Sequence, residues 1–214
     1  MSSASFDSLA LFDFDGTLVD TAPWFFRTIN AIAGHHGFRT VTSEEGEALR
    51  DLPPRAILNQ LGIPVWKLPA IAADMRRRVL ADDAATPLFP WVPDLLSRLS
   101  AVGCVIGIVS SNSETAICRK LGPALAHVHR ISAGASLFGK PARLRHVLKE
   151  TGLSAAKTVV IGDEIRDVEA ARVIGARSIA VTWGLGGQRG LAGAGPDLLV
   201  HRAEELVEAL LAPV

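Results

Sequence analysis

Cysteine is scarce. The 214-residue chain has two, Cys104 and Cys118, and no Cys-x-x-Cys pair. Without that pairing, thiolate zinc sites and thioredoxin-like chemistry lose their basis, and the two thiols are expected to be reduced and mostly buried. An excess of charge is lacking too, since Lys+Arg and Asp+Glu both total 22. Nothing in that balance directs the chain to nucleic acid or to an anionic membrane, and neither partner is expected. No apolar run approaches the ~18 residues of a membrane span. Met1 to Asp7 places no basic stretch ahead of an apolar one, so no secretory signal is expected and a cytoplasmic location is. His35-His36 and His127-x-His129 have no carboxylate or cysteine at ligand spacing, so no metal role is read from them.

What is present is enough to build a core. Hydrophobic residues make up 49% of the chain and charged residues 21%, the balance of an ordinary globular protein that needs no disulfide or metal staple. The length suits one domain carrying an insertion. Short apolar runs alternate with helical patterns. Leu9 to Phe14, Val105 to Val109, Thr158 to Ile161 and Ser178 to Val181 predict buried strands. Glu114 to Leu121, Ala142 to Thr151, Ile165 to Ile174 and Ala203 to Leu211 carry apolar residues at three- and four-residue spacing and predict helices. Gly122, Gly152 and Gly175 stand where those helices should stop. Strand alternating with helix predicts an α/β fold, a Rossmann-like parallel sheet flanked by helices.

The stretch from Thr21 to Leu88 is helical in pattern and has no convincing strand. Pro53, Pro54, Pro64 and Pro69 divide it into short helices. It is expected to be an inserted all-helical subdomain over residues 21–87, with residues 1–20 and 88–214 forming the sheet domain. The glycine-rich segment from Gly184 to Gly195 is expected to be a mobile surface loop.

Four motifs fall at predicted strand ends or at loops entering helices. In Phe12-Asp13-Phe14-Asp15-Gly16-Thr17-Leu18, strand alternation points Asp13 and Asp15 the same way, and like charges so placed repel unless a cation lies between them. Gly16 lets the backbone turn sharply and approach a ligand closely. Ser110-Ser111-Asn112 ends an apolar strand and offers hydroxyls and N–H groups to an anion, or merely caps the next helix. Lys140 precedes a helix as a compact cation, or as a solvated turn lysine. Asp163 and Asp167 share one face of a first helical turn, where they satisfy the helix dipole or complete an oxygen-ligand site for a hard cation. Their common placement decides between these alternatives, because ligand crevices of open α/β sheets form at the carboxyl ends of strands.

These residues resemble the haloacid dehalogenase superfamily. Asp13 to Thr17 is similar to its first motif, Ser110 to the second, Lys140 to the third, and Gly162-Asp163 through Asp167 to the fourth. The resemblance runs from about Phe12 to Trp183. The insertion resembles the helical cap of the phosphoglycolate-phosphatase-like branch, and Phe89 to Leu96 the segment leaving it, with Trp91 where glycine is common. The resemblance implies a Mg2+-dependent phosphatase. Asp13 would attack phosphorus and form an aspartyl-phosphate. Asp15, which dehalogenases of this fold lack, would be the acid–base. Ser110, Ser111, Gly16 and Lys140 would hold the phosphate, with Asn112 a helper. It further implies that Mg2+ binds the Asp13 and Asp163 side chains and the Asp15 carbonyl, while Asp167 ligates directly, acts through water or holds Lys140. Trp24, Arg50 and Arg55 of the insertion, with Asn112, are the candidate specificity residues, the alternatives being core packing for the tryptophan and a solvated face for the arginines. The expected substrate is a small phosphorylated metabolite. A phosphomutase of the same fold and a non-catalytic phosphate-binding module are the rival readings.

Overall fold

The computed structural model describes residues 8–134 and 138–211. The segment Met1 to Asp7 thus lies outside the described residues. Six strands form one parallel sheet: β1 (Ser8–Phe12), β2 (Cys104–Val109), β3 (Arg130–Ser132), β4 (Thr158–Gly162), β5 (Arg177–Val181) and β6 (Leu198–Val200), in the spatial order β3-β2-β1-β4-β5-β6. This is the doubly wound order, whose direction of winding reverses between β1 and β4, so a crevice opens beyond the carboxyl ends of those two central strands.

Strand alternation divides β1 between two cores. Ala10 and Phe12 enter one buried cluster with Leu95, Ile106 and Ile117, and Leu9 and Leu11 enter another with Leu144, Val147 and Val160. Both faces are therefore apolar, as a central parallel strand requires. Helix α5 (Val92–Ala101) shows how a flanking helix binds the sheet. Its buried residues Val92, Leu95, Leu96 and Leu99 recur at three- and four-residue spacing and form one stripe. The other helices of the sheet unit are α6 (Glu114–Leu121), α7 (Lys140–Thr151), α8 (Ile165–Ile174), α9 (Gln188–Ala194) and α10 (Ala203–Leu211).

Between β1 and α5 the chain runs through α1 (Ala22–His36), α2 (Ser43–Arg50), α3 (Pro54–Leu61) and α4 (Leu68–Ala81). These helices share their own buried cluster, including Ile32, Phe38, Leu49, Leu58, Leu61 and Ile71. The outgoing and returning strands of chain are tied together. Val19 bridges Leu88 in antiparallel fashion, the Asp20 N–H donates to the Pro87 carbonyl at 2.9 Å, and the Phe89 N–H donates to the Leu18 carbonyl at 3.0 Å.

The structure departs from the sequence reading in three places. Strand β1 stops at Phe12, two residues before the expected Phe14, because the chain turns sharply after Asp13. The short strands β3 and β6 were not expected. The segment from Gly184 to Gly195 is no loose loop. It contains α9, anchored by the fully buried Leu191, and its glycines pack closely against Asp163 and Asp51.

Candidate functional site

The turn after β1 is held by its own backbone. The Asp13 N–H continues the ladder to the Ile161 carbonyl at 2.8 Å, and the Gly16 N–H donates to the Val19 carbonyl at 2.9 Å. Gly16 takes φ +77°, and a methyl group there would collide with the Asp163 carboxylate. The position therefore requires glycine both for its backbone and for the space. Thr17 Oγ1 donates to Asp163 Oδ1 at 2.7 Å, which links the ends of β1 and β4. Trp183 Nε1 donates to the Thr17 carbonyl at 3.2 Å. Trp183 also meets Phe89 and Trp91 edge-on, so Trp91, which stands in place of the common glycine, belongs to an aromatic brace behind this turn.

Asp13, Asp163 and Asp167 are buried, and one carboxylate oxygen from each lies within 4.8 Å of the others. Lys140 Nζ is ion-paired with Asp13 Oδ2 at 2.6 Å and donates to Asp167 Oδ1. Asp167 thus holds Lys140. It also accepts from the Glu164 N–H at 3.0 Å as part of the N-terminal cap of α8. Asp163 Oδ2 accepts from the Leu185 N–H at 2.8 Å. Burial, followed by repulsion from Glu164, Asp13 and Asp167, pushes the Asp163 carboxyl well above the ordinary carboxylate range. Burial also raises Asp167, against the opposing charge of Lys140. Burial disfavours the Lys140 charge, but Asp13 and Asp167 outweigh it and the ammonium is held more tightly than usual.

This cluster fits a hard dication. It offers oxygen donors only, and its carboxylates repel one another. A divalent cation would relieve the repulsion.

Asp15 stands apart from the three. It is half-buried, and its carboxylate oxygens each lie 3.4 Å from the Asn112 amide nitrogen. Desolvation, then repulsion from Asp13, pushes its carboxyl up to about 6, with the Asn112 amide opposing. Ser110 is buried, and its hydroxyl accepts from the Asn112 N–H at 3.0 Å. The Ser111 carbonyl accepts from Arg76 Nη1 of α4 at 3.4 Å. Asp13, Asp15, Ser111 and Asn112 all line one cavity of about 710 Å³ between the sheet edge and helices α1 to α4.

The expected specificity residues separate. Trp24 is buried and lines the cavity. Arg50 does not stand free for an anionic substrate. Its guanidinium donates to the Leu185 and Gly184 carbonyls at 3.1 Å each and pairs with Glu47 at 2.8 Å. The neighbouring Asp51 accepts from the Gly190 N–H at 2.8 Å and from Arg189 at 3.0 Å. The two residues latch α2 to the 184–190 segment. Arg55 is exposed and lies 5.3 Å from the Phe138 ring centroid, outside the cavity lining.

Two cations inside the site were not singled out from sequence. Arg166 is paired with Glu164 and has Nη2 3.9 Å from Asp13 Oδ2. Its signal is its place inside the fourth motif, between two carboxylates. Arg76 lies in an Arg76-Arg77-Arg78 run that gives no hint which member faces inward. The fold also supplies a carboxylate to His35 and His36, which the sequence did not show. Asp74 Oδ2 lies 3.2 and 3.1 Å from them. Arg77 and Arg78 already pair with that carboxylate, at 2.6 and 3.1 Å, so it is neutralised without a metal.

Comparisons with known proteins agree with this fold. The family model for haloacid dehalogenase-like hydrolases matches residues 10–181. A phosphoglycolate phosphatase from Synechococcus elongatus is 34% identical over 204 residues, covering 94% of this chain and 95% of the relative. A phosphoglycolate phosphatase from Xanthomonas campestris is 30% identical, covering 84% and 85%. Among solved structures, a predicted phosphatase from Clostridium acetobutylicum superposes with TM-score 0.78 at 22% identity, covering 98% of this chain and all of that one (100%). A haloacid dehalogenase-like hydrolase from Streptococcus pneumoniae gives TM-score 0.74 at 21% identity, covering 94% and 97%. The chain belongs to the haloacid dehalogenase-like hydrolase family.

Proposed function

We propose that this phosphoric monoester hydrolase cleaves a small phosphomonoester through an aspartyl-phosphate on Asp13, with Mg2+ bound by Asp13 and Asp163. The observation that carries the reading is the pairing of two carboxylates in different surroundings beside one cavity: Asp13, buried and ion-paired with Lys140 at 2.6 Å, and Asp15, half-buried and raised to about 6. Asp13 attacks phosphorus, and the bond to the leaving oxygen breaks as the new P–O bond forms. Asp15, protonated, gives its proton to the departing alkoxide. It then takes a proton from the water that attacks the phospho-aspartate, releasing phosphate and restoring Asp13. When bound, Mg2+ neutralises charge on the nucleophile and the transferring phosphoryl group. Lys140, Ser110 and the Ser111 backbone hold the phosphoryl oxygens, and Gly16 gives them room. Asp167 keeps Lys140 in place. The helical insertion acts as a cap that excludes bulk water.

The test is phosphate release from a panel of phosphomonoesters, with Mg2+ and with EDTA, for the wild type and Asp13→Asn. Phosphoglycolate, the substrate that names the Synechococcus relative, belongs in the panel. Release that needs the metal and disappears in the variant is expected. Isomer formation in place of free phosphate would point to a mutase instead. Retention of appreciable activity by Asp13→Asn would overturn the assignment.

A further inference from the structure

The cavity above Asp13 and Asp15 does not end at the reacting atoms. It runs on between the cap helices, to a volume of about 710 Å³. That is the size of a site for a drug-sized ligand, of order 300–1,000 Å³. A two-carbon leaving group would fill a small part of it. The far wall is apolar, and includes Phe25, Ile29, Leu52, Ile57, Leu68 and Met75. Ile29, Leu52, Ile57, Leu68 and Met75 pack with part of their surface against the buried cluster of the cap helices, and all six are only half-buried, so part of each remains open. Of the three guanidiniums on the wall, Arg50 serves the 184–186 carbonyls and Glu47, Arg166 serves Glu164, and Arg76 spends one N–H on the Ser111 carbonyl at 3.4 Å. An apolar chain on the leaving group would displace water from the apolar surface beyond them.

We propose that the cap cavity binds the apolar part of the leaving alcohol, so that the substrate is a phosphomonoester bearing an extended alkyl or aryl group. The assignment rests on the phosphatase reading above for the reaction, but its binding half stands by itself. Continuity of the apolar wall with the Asp13 and Asp15 carboxylates fixes the orientation: phosphate at the sheet edge, apolar tail among α1, α3 and α4.

Two series test it on the full chain with Mg2+. The first is kcat/KM for n-alkyl phosphates from ethyl to octyl, whose leaving groups differ little in acidity, with phosphoglycolate alongside. The second is the affinity of the matching n-alkylphosphonates, which cannot be hydrolysed, by calorimetry. Both are expected to rise with chain length, by up to about fourfold per buried methylene, until the cavity is full. Met75→Gln is expected to reduce the octyl-to-ethyl ratio in both series. Phosphonate affinity that rises with length while no ester is hydrolysed would support the apolar site and overturn the phosphatase reading alone. A flat response to chain length in both series would overturn the apolar site. So would a preference for phosphoglycolate over every alkyl ester that Arg76→Gln abolishes, since that would place a carboxylate on Arg76.

Discussion

At the scale of single residues, Asp13 and Asp15 show how two carboxylates two positions apart acquire different properties. Asp13 is buried and ion-paired with the Lys140 ammonium at 2.6 Å. Asp15 is desolvated and lies beside the charge of Asp13, both of which favour its neutral acid, and the Asn112 amide at 3.4 Å only partly opposes them. The role of Asp15 depends on the leaving group. An alkoxide needs the proton, whereas a nitrophenolate departs without it. Asp15→Asn is therefore expected to lose about 10²–10⁴-fold in kcat/KM, which reports the step that expels the leaving group, on an alkyl phosphate and far less on p-nitrophenyl phosphate. Equal losses in kcat/KM on the two esters would show that Asp15 does not protonate the leaving group. Asp13, Asp15, Lys140 and Asp163 were legible because each closes a short apolar run or opens a helix at a recognisable motif. Arg166 and Arg76 were not, because one arginine among several declares its direction only through the fold.

At the scale of elements, the informative segment is Gly184–Ala194. Its glycines suggested a loose loop, since composition alone reports the absence of side chains and not what fills the space. The space is filled by the Asp163 and Asp51 carboxylates and by the Arg50 guanidinium, and Leu191 pins α9 to the core. Arg50 and Asp51 lie more than a hundred residues away along the chain and Asp163 lies 22 from Leu185, all beyond the reach of local periodicity. For the same reason Arg50 read as a substrate residue and not as a latch. Strands β3 and β6 escaped notice because three residues cannot display a period of two. The long helical patterns, by contrast, were visible from apolar spacing alone. Arg50→Ala is expected to lower stability by about 1–3 kcal/mol, as three hydrogen-bonded carbonyls lose their donor. Faster amide exchange of Leu191, whose N–H is bonded to the Gly187 carbonyl, should accompany it. Thermal unfolding and hydrogen exchange check this, and unchanged values in both would show that the latch carries no load.

At the scale of the whole molecule, the cluster of Asp13, Asp163 and Asp167 ties stability to pH. The Asp163 carboxyl is raised in the folded protein, so the metal-free fold holds that proton more tightly than the unfolded chain does. This contribution is present below the unfolded carboxylate pKa and is lost as pH rises through the raised folded value. Above that value the metal-free fold carries buried, mutually repelling anions. Mg2+ needs those carboxylates deprotonated, so its binding should tighten as pH rises, and it should stabilise the fold most where the apo site is least comfortable. The increase in Tm on adding Mg2+ is expected to be larger at about pH 7.5 than at about pH 5. An increase independent of pH would remove the Asp163 cluster from metal binding. Among the described residues no helix is long and apolar enough to cross a membrane, and the doubly wound sheet opens a crevice beyond the carboxyl ends of β1 and β4, where the direction of winding reverses.

The most direct test of the central claim is to trap the covalent intermediate. The protein is mixed with substrate and Mg2+, quenched within a turnover, treated with borohydride, and digested for peptide mass spectrometry. Reduction of an acyl phosphate converts aspartate to homoserine. Homoserine at position 13, dependent on substrate, is the predicted result. Its absence while phosphate is being released, or its appearance at Asp15 or Asp163 instead, would contradict the account.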